Sequence, residues 1–252
     1  MQNLDGSGNY CYCYSVINMT GENGVLSVYG DMFVQSANND ATNVLTEGTL
    51  ELGGNFSQII SNATSNNFKC KNNHKVKFTG TDEQIISFES TDSSGFNILL
   101  PSDNSNVKLS GSIAKLGGNS SVSSFTQYQT LDLNGYKLNV ENDLNEYGII
   151  HLNKGKLTVG EHFHPKGTLY IEDGTETVKG SYRMQALGGN GYVYAGSSLN
   201  MTDPAGLFTI CGDMYVQSSQ SDSATVLNAG TLELKGNFYQ YTANGTSTNF
   251  NA

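Results

Sequence analysis

The stretch Gly30–Ser36 reads GDMFVQS, and Gly212–Ser218 reads GDMYVQS. GTLELGGNF follows the first from Gly48 to Phe56, and GTLELKGNF follows the second, at the same distance, from Gly230 to Phe238. Working outward, residues 24–68 align with residues 206–250 without a gap at an offset of 182, and 24 of these 45 positions are identical. Asn18-Met19-Thr20 meets Asn200-Met201-Thr202 at the same offset, and MQNLDGSGNY from Met1 matches MQALGGNGY from Met184 with one deletion. Residues 1–182 therefore read as one complete repeat unit, and residues 183–252 as the first part of a second copy continuous with it. Solenoids need terminal caps with a polar outer face. Neither end of this chain has that pattern, so the expectation is a piece of a longer tandem array.

A finer period lies inside the large one. The pattern apolar-x-apolar-x-small-x-apolar recurs as LSVYGDM from Leu26, LELGGNF from Leu50, VKLSGSI from Val107 and LNVENDL from Leu138. It returns as FTICGDM from Phe208 and LELKGNF from Leu232, while LTVGEHF from Leu157 keeps the apolar positions but carries Glu161 at the small one. Alternation of this kind marks strands with one buried face. Leu131, Ile150 and Leu169 recur every 19 residues, and Leu26 to Leu50 spans 24. Such periods suit a chain that returns to the same place after each circuit. The leucine-rich-repeat frame is missing, as are the roughly 40-residue blades of a propeller. The expected fold is all-β: a right-handed parallel β-helix (a solenoid) burying Leu, Val, Ile and Phe, with a β-sandwich as the alternative. Its corners would stack Asp31 with Asn55, and Asp213 with Asn237, with Asp143 at an equivalent corner. At about 4.8 Å per strand, roughly eleven turns make a rod on the order of 50 Å long. Residues 83–100 and 112–130 fit the period less well. Within them 84–88 and 96–100 still read as strands, and Gly117–Ser124 as an exposed loop.

Composition agrees with many short strands and tight corners. There are 29 glycines and 29 asparagines among 252 residues, three prolines and no tryptophan. Gly and Asn both tolerate the left-handed backbone that corners use. Charged residues make up 14%, against about 25% in an ordinary domain. The net charge of −10, with Arg183 as the single arginine, leaves no basic face for nucleic acid or for an anionic membrane surface. No apolar run is long enough to span a membrane, and the first 20 residues do not read as a signal peptide.

GDMYVQS with GTLELKGNF, repeated in an acidic chain rich in Gly and Asn, resembles the β-helical repeat regions of large secreted surface proteins of Gram-positive, clostridia-like bacteria. That resemblance implies extracellular display at the cell surface and a structural role as a stalk or adhesin, without catalytic residues or cofactors. Its partners would be neighbouring repeats, other copies joined end to end, and a carbohydrate or host surface.

Chemistry-bearing residues are read against that background. Tyr10, Tyr12 and Tyr14 alternate with Cys11 and Cys13, so the three rings would line one face and are the best candidate for a carbohydrate-binding strip. A carbohydrate-binding β-helix is thus the alternative function, and a polysaccharide-active enzyme a further one. An enzyme of that kind needs converging carboxylates; the candidates are Asp82 with Glu83, Glu141 with Asp143, and Glu172 with Asp173, all better read as corners or outward residues. His162 and His164 flank Phe163, and His151 could approach from a neighbouring turn, but no further partner completes a zinc motif. Cys11, Cys13, Cys70 and Cys211 read as small hydrophobes, with a disulfide from Cys11 or Cys13 to Cys70 left open.

Overall fold

The computed structural model describes residues 3–4, 6–39, 44–90, 94–101, 106–109, 113–116, 130–140, 142–146, 148–188, 191–220, 225–243, 245 and 247–250. The expected loop Gly117–Ser124 and the candidate Glu141 lie outside them. The described residues contain strands and turns and no helix. Most strands are three or four residues long and join parallel ladders of nine, six, five and four members. Every strand pairing is parallel except within two antiparallel hairpins, Asn3–Leu4 with Tyr10–Cys11 and Tyr182–Gly188 with Gly191–Tyr194. A sandwich is built from antiparallel strands, which these ladders are not.

Register explains the alternation seen in the sequence. Leu138, Leu157, Glu176, Phe208 and Leu232 are successive partners in one ladder, and Val140, Val159, Val178, Ile210 and Leu234 form the row two residues on. Leu131, Ile150, Leu169 and Leu199 form a third row. These rows point inward and are almost wholly buried away from the chain ends, giving one continuous apolar core. Around the first copy the core is aromatic: Phe56, Phe68, Phe88 and Phe96 pack with ring centroids 4.9–6.0 Å apart.

The corners show why Gly, Asp and Asn recur. Asp31 Oδ1 accepts from the Asn55 backbone N–H at 2.7 Å, and Asp213 Oδ1 accepts from Asn237 N–H at 2.8 Å. Asp143 Oδ1 does the same for His162 N–H at 2.8 Å. The expected corner stacking is thus made mainly by side-chain oxygens on backbone amides one strand along, rather than by side chain on side chain. A Cβ on Gly54 would stand 2.5 Å from Asp31 Oδ1, so this crossing needs glycine. Gly48 and its counterpart Gly230 take φ of 79° and 86°, the left-handed region.

The repeat is reproduced bond for bond. Gln58 Nε2 donates to Asn67 Oδ1 at 2.8 Å, and Asn67 Nδ2 donates to the carbonyls of Ser36 and Ile59. In the second copy Gln240 Nε2 donates to Asn249 Oδ1 at 2.9 Å, and Asn249 Nδ2 donates to the carbonyls of Ser218 and Tyr241. The two copies do not occupy the same ladders, however. Met32–Val34 and Phe56–Gln58 begin the nine-stranded ladder, which ends with Ser198–Met201 and Thr225–Leu227. Their own counterparts, Met214–Val216 and Phe238–Gln240, sit in a different ladder with Leu144–Glu146 and Phe163–Pro165. The exchange occurs where Asn106–Leu109 stacks on Glu83–Phe88 and is followed by Thr130–Asp132. No helix among the described residues is long and apolar enough to cross a membrane.

Candidate functional site

Tyr10 belongs to the strand Tyr10–Cys11 of the first hairpin, paired with Leu4; its side chain is outside the described residues. Tyr12 and Tyr14 are exposed while Cys11 and Cys13 are half-buried, which is the alternation expected. The two tyrosine rings meet edge to face at 6.1 Å. All four cysteines are free, and burial pushes the Cys70 thiol far up, so it behaves as a packed hydrophobe.

The second hairpin repeats the first. Leu4 facing Tyr10 is matched by Leu187 facing Tyr192, and Asn3 facing Cys11 by Ala186 facing Val193. The single deletion between the copies therefore falls in the hairpin loop and leaves the pairing unchanged. Tyr192 and Tyr194 are both about half exposed.

Beside this hairpin lies a row of outward side chains that sequence reasoning missed. Arg183, Tyr215 and Tyr239 are register partners in one ladder. The Arg183 guanidinium carbon lies 3.7 Å from the Tyr215 ring centroid and 4.6 Å from that of Tyr192. Tyr239 stacks on the other face of Tyr215 at 4.9 Å, and the His164 ring lies parallel to Tyr192 at 6.5 Å. The Tyr215 hydroxyl donates to Asp213 Oδ2 at 2.9 Å. Asp213 is held below the usual carboxylate range by the Asn237 N–H and the Tyr215 hydroxyl, with a smaller contribution from Arg183. Guanidinium over tyrosine is a favourable cation–π contact. Because Tyr215 is covered on both faces, this row works first as a brace between strands. The half-exposed Tyr192 and Tyr194 rings beside it are the parts that can meet a flat apolar ligand face. Arg183 reads in the sequence as a boundary surface charge, and only the register places it over Tyr215, 32 residues later. The usable signal is that Arg183, Tyr215 and Tyr239 are each the middle residue between two inward ones.

The other candidates are corner and surface groups. His162 Nδ1 accepts from Ser181 N–H at 2.9 Å, so this imidazole fills a corner position held elsewhere by Asp. His164 is held below its ordinary value by burial. His151 belongs to another ladder, where it stacks on Tyr170 at 4.5 Å and meets Glu172 Oε1 at 3.0 Å. Glu172 and Asp173 accept from the backbone N–H groups of Asn153 and Lys154, and Glu83 pairs with Lys108 at 3.9 Å. Among the described residues no three His, Cys, Asp or Glu side chains converge to hold a metal ion.

Comparison with known proteins finds no matching family model, no matching curated protein and no matching solved structure.

Proposed function

We propose that the chain is a non-catalytic structural repeat of an extracellular stalk or adhesin at a cell surface, coiled as a right-handed parallel β-helix whose ends are built to be continued. The observation that carries this reading is the fate of identical residues in the two copies. Thr49–Leu52 is covered by Lys75–Phe78, and Phe56–Gln58 by Glu83–Phe88. Their counterparts Thr231–Leu234 and Phe238–Gln240 are the last strands of their ladders.

An open cleft of about 410 Å³ lies at that end, lined by Met201, Leu227, Gly230 and Leu232 among others. At the equivalent place in the first copy, Lys71 N–H donates to the Leu45 carbonyl, Asn73 N–H to that of Thr46, and His74 Nδ1 contacts that of Glu47. Glu51, the counterpart of Glu233, meets Lys77 at 3.6 Å. The cleft thus has the form of a seat for a further segment resembling residues 70–77, supplied by a following repeat or by another copy meeting it end to end. Uncovered strand edges template such additions.

In this reading the exchange of ladders turns each copy by one face of the coil relative to the last. One 182-residue unit advances the nine-stranded ladder by seven strand spacings, on the order of 35 Å. Small-angle scattering on chains carrying one, two and three added units tests this. Maximum dimension rising by that increment per unit supports the stalk, and a radius growing as that of a compact globule sinks it.

A second reading, carbohydrate binding, is favoured by one observation: the half-exposed Tyr192 and Tyr194 beside Arg183, repeated by Tyr12 and Tyr14 in the first copy. Aromatic faces with polar tips suit sugar rings. Glycan-array binding that disappears in a Tyr192→Ala/Tyr194→Ala variant supports it; an array with no signal removes it.

A further inference from the structure

The inward rows contain apolar residues almost throughout, with one conspicuous break. Glu176 occupies an inward position between Leu157 and Phe208 and is fully buried, as are Glu146 and Tyr182. Both carboxylate oxygens of Glu176, Oε1 of Glu146 and the Tyr182 hydroxyl have no hydrogen-bond partner, each other included. Glu146 makes one bond, accepting from Gly167 N–H through Oε2 at 3.2 Å. Ser197 Oγ, also buried and unpartnered, belongs to the segment seated on Gly167 through Ser198 N–H.

These groups sense one another. Burial, then the charge of Glu146, holds Glu176 well above the usual carboxylate range. Burial, then Glu176 and Glu146, raises Tyr182. Burial also pushes Glu146 up to about 8, against its single backbone bond. The only titratable groups acting on Glu176 and Tyr182 are the glutamates themselves, with no Lys, Arg or His among them. An ionised carboxylate in such a place costs many kcal/mol unless a counter-charge joins it. Four unpartnered oxygens converging from three side chains is the condition in which a missing ion accounts for buried unsatisfied groups.

We propose that Glu146, Glu176 and Tyr182 form a buried binding site for one hard divalent cation of the calcium type, stapling the strands of residues 137–184 from within. The donors are all oxygen, which disfavours zinc. Calcium accepts irregular oxygen sets, whereas magnesium demands near-octahedral geometry and keeps its waters. Two carboxylates balance the double charge, so the occupied site is neutral overall. Entry of the cation displaces the two carboxyl protons to solvent. This inference does not depend on the stalk reading.

The test is calorimetric titration of calcium into the chelator-stripped chain, repeated in buffers of different ionisation heat. The expected result is one calcium per chain, close to two protons released below neutral pH, and a rise in Tm. Glu176→Gln keeps the side-chain volume, so it should fold while losing calcium binding and the Tm rise. If Tm of the stripped chain falls as pH is raised from about 6 to 9 and calcium does not restore it, the two acids are merely protonated core residues and the proposal fails. It fails equally if Glu176→Gln binds calcium as the unsubstituted chain does.

Discussion

Phe56 and Phe238 stand at equivalent positions of the two copies, flanked by the same TLEL and Asn-Phe sequence, yet Phe56 is fully buried and Phe238 is 39% exposed. Leu50 and Leu52 are buried, whereas Leu232 and Leu234 are only partly so. At the opposite end the inequality reverses. Val25 and Leu26 are exposed, while Phe208, the counterpart of Leu26, is fully buried beneath Glu176 of the preceding strand. Local bonding is the same in both copies, down to the Gln–Asn pair at 2.8 and 2.9 Å. Strand formation and corner geometry are therefore properties of the local sequence, and burial comes from the neighbour above and below.

That contrast can be broken most forcefully at the phenylalanines. Phe56→Ala should cost about 3–5 kcal/mol, because it opens a hole among Phe68, Phe88 and Phe96. Phe238→Ala should cost about 1 kcal/mol, since much of that ring already meets solvent. Urea denaturation of both variants checks the pair, and equal losses would mean that the final strands are covered in solution. Next in size is Asn67→Ala, expected to cost about 2–3 kcal/mol by stranding Gln58 and two carbonyls in the interior. Asn249→Ala should cost less, because Gln240 is exposed and solvent can replace the lost partner.

Acid should act on the first copy selectively. His74 is buried, and burial holds it below its ordinary 6.5. The folded chain therefore resists the proton that the unfolded chain takes up. The stability this contributes is present above pH 6.5 and is lost as pH falls from there toward the depressed value, by at most about 1.4 kcal/mol per unit. Urea midpoints at pH 7 and pH 5 for the parent and for His74→Gln check this: the difference between the two pH values should shrink in the variant. The smallest effects should be the matched ones. Gly48→Ala and Gly230→Ala both place a Cβ on a left-handed backbone, costing about 1 kcal/mol in each copy, because the strain is local.

Much of this architecture is legible in the sequence. The alternation in LELGGNF and LNVENDL marks the inward rows, and the 182-residue offset predicts the duplicated corners. The one-residue deletion near Met184 correctly anticipates a hairpin that differs only in its loop. Three features are hidden, each for a physical reason. The exchange of ladders depends on which strand Asn106–Leu109 stacks against, a long-range choice that alternation does not encode. The Arg183–Tyr215 contact joins residues 32 apart through register alone. Glu176 stands in TETV, where a carboxylate at the first inward position makes the strand look outward-facing, so the pattern points away from the core.

The central claim is that stacking, rather than local sequence, supplies the stability of each strand. Amide hydrogen exchange of Thr49–Leu52 and Thr231–Leu234, before and after residues 69–101 are appended a second time behind residue 252, tests it directly. The account predicts that Thr231–Leu234 exchanges much faster than Thr49–Leu52 in the parent chain and slows to match it once the added segment is present. Equal protection in the parent, or no slowing on extension, would contradict it.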